Sequence, residues 1–182
     1  VFRTVIRKLR DRIATLRVGN PLDKNTDIGA INSRMQLEKI RELVQSGVDE
    51  GAELVQPRCA LPEKGYWYPP SFLTGVTASH RIAQEEIFGP VLVVIPYEDD
   101  EDAIRIANES IYGLGGSVVS GDKARAMRVA RRIRAGAVSI NGGMSITGDL
   151  PFGGFKGSGM GREWGREGIE EFLDAKAIAV RA

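Results

Sequence analysis

An α/β fold with a largely parallel sheet and helices on both faces is predicted by three features of this 182-residue sequence. From residue 92 to residue 141, segments of strand, helix, strand, helix and strand character follow one another, an order that calls for parallel crossovers. Residues 92–95 are Leu92, Val93, Val94 and Ile95, the near-continuous apolar run expected of a strand covered on both faces. Apolar residues in the intervening segments recur at helical spacing.

Taken in order, residues 1–17 place Phe2, Val5, Ile6, Leu9, Ile13 and Leu16 on one side of a helix, with arginines on much of the rest. The helix therefore needs a partner to cover it. Gly19, Asn20 and Pro21 end it, and residues 23–31 read as a surface loop. Ser33 and Gln36 have capping-box spacing and open a helix whose apolar side is Leu37, Ile40, Val44 and Val48, with Gly47 as a weak point. Residues 53–55 form a short strand. Tyr66, Trp67 and Tyr68 before Pro69 and Pro70 suggest an extended edge segment.

Residues 100–109 form a helix started by Asp99, Asp100 and Glu101, with Ala103, Ile106 and Ala107 inward. Strands follow at 115–120 and 137–141, separated by a helix that Asp122 caps and that runs to Arg134 with Ala126, Val129, Ala130 and Ile133 on one side. A glycine-rich loop, a helix over 162–172 and a final strand at 175–180 complete the chain. This length suits one buried core. The boundary adopted is a main domain over 1–174 and a terminal strand over 175–182.

Lys and Arg number 25 against 24 Asp and Glu, so no global field recruits nucleic acid or an anionic membrane. One cysteine and one histidine exclude an intrachain disulfide and disfavour a zinc cluster, so no metal site is expected. The longest apolar run falls far short of the roughly 18 residues that span a bilayer. Neither a membrane segment nor a secretory signal is read, and a reducing, cytoplasmic setting is expected.

Candidate chemistry is sparse. Cys59 has Arg58 beside it but no nearby histidine and no evident helix N-terminus, so it reads as a bystander. His80 reads as exposed or supporting. Glu85 and Glu86 are adjacent, so in an extended segment they point to opposite faces and make a poor acid/base dyad. A single carboxylate can instead accept two hydrogen bonds from the vicinal hydroxyls of a sugar. Phe88 would share a face with Glu86, placing an aromatic platform beside that grip, although a plain surface acid beside a buried phenylalanine remains open.

The loop over 153–161 fits neither common phosphate-binding pattern, because Lys156 precedes Gly157 and Arg162 stands where a third glycine belongs. Its glycines point to a tight backbone path. Arg125, Arg128, Arg131, Arg132 and Arg134 make one helix basic with only Asp122 as a nearby acid. A solvated or subunit-contact face is the expectation.

Several blocks in order resemble the C-terminal catalytic-domain portion of the NAD(P)-dependent aldehyde dehydrogenases. They are Gly19-Asn20-Pro21-Leu22-Asp23 with Thr26-Asp27-Ile28-Gly29, then Gln84-Glu85-Glu86-Ile87-Phe88-Gly89-Pro90, then Asn108-Glu109-Ser110-Ile111-Tyr112-Gly113-Leu114. Arg134-Ala135-Gly136-Ala137-Val138-Ser139-Ile140-Asn141 and Pro151-Phe152-Gly153-Gly154-Phe155-Lys156 complete the set. The likeness runs from about Leu16 to Val180.

By resemblance, Glu86 is similar to the carboxylate that binds the nicotinamide ribose, and Phe88 to the aromatic residue that holds the nicotinamide near the substrate. Asn141, Met144, Leu150 and Phe152 are similar to residues of the substrate pocket, and the final strand to the element used in assembly as a homodimer or homotetramer. The family's nucleophilic cysteine and its glutamate base precede the equivalent of Phe2. No catalytic nucleophile or base is therefore expected within this chain, which is expected to oxidise an aldehyde to an acid only when joined to an N-terminal half. The cofactor implied is NAD or NADP, with NAD favoured.

Two other classes remain: a non-catalytic, aldehyde-dehydrogenase-like structural or interaction protein, and an arginine-rich nucleic-acid binder. An upstream cysteine and glutamate would favour the enzyme over the first. Strong salt dependence of DNA or RNA binding would mark the second.

Overall fold

The computed structural model describes residues 1–143 and 147–181. They gather into two compact units, Val1–Pro96 and Tyr97–Ala182, where one core was expected. In the first, α1 (Phe2–Ile13) buries only Ile13, and Phe2 and Val5 lie exposed on its apolar side. The helix stops short of the expected Leu16. Arg10 and Arg12 in its last turn complement the partial negative charge there.

Helix α2 (Arg34–Asp49) begins where the capping spacing places it, with Ser33 Oγ accepting from the Gln36 amide at 3.1 Å. Its buried side comprises Leu37, Ile40, Leu43, Val44 and Gly47. Gly47 is there for packing: a Cβ on it would fall 2.8 Å from Leu73 Cδ2 and 3.0 Å from Ile82 Cγ2. The lost helix propensity is the cost of bringing the helix that close to its neighbours.

Those neighbours lie on and beside a mixed sheet of β1 (Glu53–Val55), β2 (Ser71–Thr74) and β3 (Val91–Val93), in that order, with β1·β2 antiparallel and β2·β3 parallel. The central strand, β2, was not predicted, since Pro69 and Pro70 directly before it suggested an edge. Prolines are tolerated just ahead of a strand, and here Ser71 N already donates to Pro90 O at 3.0 Å. Leu92 is 53% exposed, so β3 is not covered on both faces as expected. A short helix, α3 (Arg81–Gln84), lies between β2 and β3.

In the second unit, α4 (Asp100–Glu109) is capped by Asp99, which accepts from Asp102 N, and carries three acids in its first turn. Its one buried residue is Ile104; Ala103 and Ile106 are half-buried, and Ala103 and Ala107 line a cavity with Ala126 and Val129 of the next helix. Strands β4 (Gly115–Val118) and β5 (Ala137–Ile140) pair in parallel around α5 (Lys123–Ala130), which Asp122 caps through Arg125 N and which ends before Arg134. Ala126 is fully buried on its inward side, as expected. A 3-10 turn at Lys156–Ser158 and α6 (Gly165–Glu170) follow.

The strand expected at 175–180 does not form, and Ile178 and Val180 stand exposed. A strand is defined by ladder partners for its N–H and C=O groups, and none of the described residues supplies them.

Candidate functional site

The segment holding Glu86 and Phe88 runs from the end of α3 to β3 and is fastened to α2. Glu85, at the C-cap of α3, is extended with φ −100° and ψ 142°. Ile87 packs against the hydrophobic core of the first unit, while Glu86 and Phe88 on either side of it are exposed, Phe88 to 69%. Both residues are thus open to solvent, and the phenylalanine is not buried. Phe88 adopts φ +52°, a left-handed conformation uncommon for a bulky side chain.

The two acids have different fates. Arg81 Nε donates to Glu85 Oε1 at 2.6 Å, and Arg81 Nη1 to Glu42 Oε1 at 2.7 Å. That hydrogen bond holds the Glu85 carboxyl below the usual carboxylate range. Glu86 has no ion pair and no hydrogen bond among the described residues, which leaves both carboxylate oxygens available as acceptors. A carboxylate with both oxygens open can accept two hydrogen bonds from a pair of vicinal hydroxyls.

In the second unit, Leu150 and Phe152 line a cavity of about 470 Å3 together with Ala137, Ser139, Pro151 and Trp164. The rings of Phe152 and Trp164 are 5.5 Å apart and tilted. Trp164, at φ +61°, was not singled out from the sequence; its place directly after the glycine-rich loop was the available signal. Asn141 is not a lining residue of this cavity. Its Oδ1 accepts from Ser120 N and its Nδ2 donates to Ser120 O, both at 2.8 Å, so it ties the end of β5 to the end of β4. Met144 lies outside the described residues.

The glycine-rich loop is a close-packed backbone path, as its composition suggested. A Cβ on Gly153 would lie 2.2 Å from Gly161 O, and one on Gly154 2.5 Å from Ser158 O. Its cations serve backbone carbonyls: Lys156 Nζ donates to Ser110 O at 2.6 Å and Asn108 O at 3.1 Å, and Arg162 Nη1 to Gly154 O at 2.9 Å and Gly161 O at 2.8 Å. Neither is arranged as a phosphate ligand.

The arginine-rich segment has more acid near it than Asp122. Arg125 binds Asp100 through Nε and Nη2, and Arg132 binds Glu101 with Nη2···Oε2 at 2.6 Å. These acids come from α4, remote in sequence. Hydrogen bonds from Arg125 and Arg132 hold the Asp100 and Glu101 carboxyls below their ordinary values. A carboxyl depressed in the folded state stabilises the fold above its unfolded pKa, and that contribution disappears as pH falls through the lower folded value. An Asp100→Asn variant should melt slightly below the parent at neutral pH, with the gap closing below about pH 4. Thermal melts across pH test this, and a pH-independent gap would count against it.

Cys59 is only partly buried, and burial pushes its thiol up, away from thiolate. His80 Nδ1 takes a hydrogen bond from Thr77 N at 3.1 Å. Among the described residues no cluster of His, Cys, Asp and Glu could hold a metal ion, and no helix is long and apolar enough to cross a membrane.

Residues 1–178 match the family model described as the aldehyde dehydrogenase family. The chain belongs to that family. A provisionally named aldehyde dehydrogenase of Staphylococcus aureus strain USA300 is 47% identical over 175 residues, covering 94% of this chain and 37% of the relative. Betaine aldehyde dehydrogenase of Staphylococcus aureus, crystallised in complex with NAD+, superposes with a TM-score of 0.90 at 38% identity, over 96% of this chain and 35% of its own. An NAD-dependent aldehyde dehydrogenase of Sinorhizobium meliloti gives 0.88 at 39% identity, over 93% and 34%. This aldehyde dehydrogenase chain thus spans little more than a third of the length of the relatives it matches.

Proposed function

We propose that this chain supplies the nicotinamide-facing grip and part of the substrate passage of an enzyme that oxidises an aldehyde to a carboxylic acid with NAD(P), NAD being favoured. The observation that carries the reading is the unpaired, exposed carboxylate of Glu86 two residues from the exposed ring of Phe88. Glu86 would accept hydrogen bonds from the ribose hydroxyls, and Phe88 would limit where the attached ring can lie. When bound, NAD(P) supplies the hydride acceptor. Leu150, Phe152 and Trp164 would give the aldehyde an apolar wall that excludes water.

In the protein expressed from its complete gene, Glu86→Ala should slow single-turnover hydride transfer roughly ten- to a hundredfold. The loss corresponds to about 1.5–3 kcal/mol for a charge-assisted hydrogen bond. Cofactor affinity and hydride transfer both unchanged in this variant would remove Glu86 from the role.

The 182-residue chain by itself is expected to show no aldehyde oxidation, because its only thiol is not held as thiolate. Cys59→Ser in the complete protein should leave turnover unchanged. Loss of NAD(P)H formation in that variant would reinstate Cys59 as a nucleophile. The complete protein is proposed to be a homodimer or homotetramer built partly through residues 175–182, which light scattering across a concentration series will test. Full cofactor binding without turnover would favour the non-catalytic alternative.

A further inference from the structure

The weakest-supported conformation in the Glu86 and Phe88 segment is that of Phe88 itself. Its backbone is left-handed at φ +52°, which costs energy in a residue with a bulky side chain. Its ring is 69% exposed, so packing of the ring does not hold it there. A hold on the backbone comes from α2. Gln36 Nε2 donates to Ile87 O at 2.8 Å and reaches Phe88 O at 3.4 Å, spanning more than fifty positions of sequence.

The backbone from which that side chain reaches is fixed, since the main-chain N–H of Gln36 donates to Ser33 Oγ at the start of α2. The next residue of the segment, Gly89, lies so close to α2 that a Cβ there would fall 2.5 Å from Cδ1 of the fully buried Ile40. The segment therefore seats on α2 at two adjacent points, one apolar and one a directed hydrogen bond.

We propose that Gln36 is a positioning residue for the reaction: its carboxamide orients the Ile87 and Phe88 carbonyls and so sets where the Glu86 carboxylate and the Phe88 ring point. The inference rests on the reading of Glu86 and Phe88 as the nicotinamide-riboside grip. A misdirected grip still binds cofactor but holds the nicotinamide off line, and displacements on the ångström scale cost roughly a hundredfold in rate.

The test uses the protein expressed from its complete gene, with Gln36→Leu and Gln36→Glu, each compared with the parent and with Glu86→Ala. NAD dissociation constants, single-turnover hydride transfer per folded molecule and thermal midpoints are measured. Gln36→Leu is expected to lower hydride transfer at saturating NAD at least about tenfold, with a much smaller change in NAD affinity. Gln36→Glu keeps the size of the side chain and donates only when protonated. Its hydride-transfer rate relative to the parent should rise as pH falls toward the carboxyl range near pH 4–5, over the interval where both stay folded.

This rescue by acid is a signature that a purely structural role does not produce, and it remains readable if the leucine variant fails to fold. Parent-like hydride transfer in Gln36→Leu, a loss confined to affinity, or a pH-independent deficit in Gln36→Glu would each overturn the proposal. If Glu86→Ala is impaired while both Gln36 variants behave as the parent, only the role of Gln36 falls. If Glu86→Ala is itself unchanged in binding and hydride transfer, the underlying reading of the grip falls.

Discussion

Replacing Gly136 by alanine is expected to destabilise the protein by at least about 3 kcal/mol, at or beyond the upper end of ordinary overpacking. The added Cβ would lie 1.7 Å from Gly153 O and 2.7 Å from Gly153 C, both backbone atoms that no rotamer change can move. Gly153 cannot retreat, because its own α-carbon already faces Gly161 O and the Arg162 side chain. Either the start of β5 or the loop over 153–161 must shift, and with it Phe152 in the wall of the cavity. Chemical denaturation provides the measurement. Gly121→Ala is the matched control, since its Cβ would meet nothing within 4 Å, and should be neutral or stabilising by about 0.4–1 kcal/mol. Equal stability of the two variants would show that the close approach is not maintained.

Phe72→Ala should cost about 3–5 kcal/mol. Phe72 is fully buried on β2, the central strand of its sheet, opposite Val55 in one register and Leu92 in the other. Its neighbours in the strand, Ser71 and Leu73, are buried too, so little room exists for solvent to fill the lost volume. Against a typical domain stability of about 5–15 kcal/mol, much of the margin would be lost. Leu92→Ala, at a residue 53% exposed on the paired strand, should cost well under half as much. A lowered denaturation midpoint with an unchanged slope would identify a pure stability effect; a shift no larger than that of Leu92→Ala would refute the assignment of Phe72 to the core.

Local chemistry was legible wherever one residue decides it. Ser33, Asp99 and Asp122 each cap the helix that their spacing indicated, and the parallel β4·β5 pair around α5 follows from the alternation of elements. What escaped the sequence depends on partners distant along the chain. Strand β2 becomes central only because β1 and β3 flank it, and α4 buries Ile104 most deeply, a residue not among the expected Ala103, Ile106 and Ala107. The acids that meet Arg125 and Arg132 arrive from α4.

The same division holds at the candidate site. The motif singled out Glu86 and Phe88, whereas the tie from Gln36 to the carbonyls of that segment could not be read from a residue whose evident local task was to begin a helix. The terminal strand failed for a related reason: alternation of side chains at 175–180 describes a segment able to pair, and pairing requires another backbone.

The reciprocal bridge between Phe152 and Glu163 has a kinetic meaning. Each amide donates to the other residue's carbonyl at 2.7 Å, closing the glycine-rich segment into a ring that sits outside any regular ladder. Neither amide can be released without releasing its counterpart's setting, so in deuterium exchange the pair should behave as one opening event, with matched protection and the same response to temperature. The aromatic wall at Phe152 would then switch between seated and unseated as a whole, and the lifetime of that single latch would govern how often the cavity changes shape.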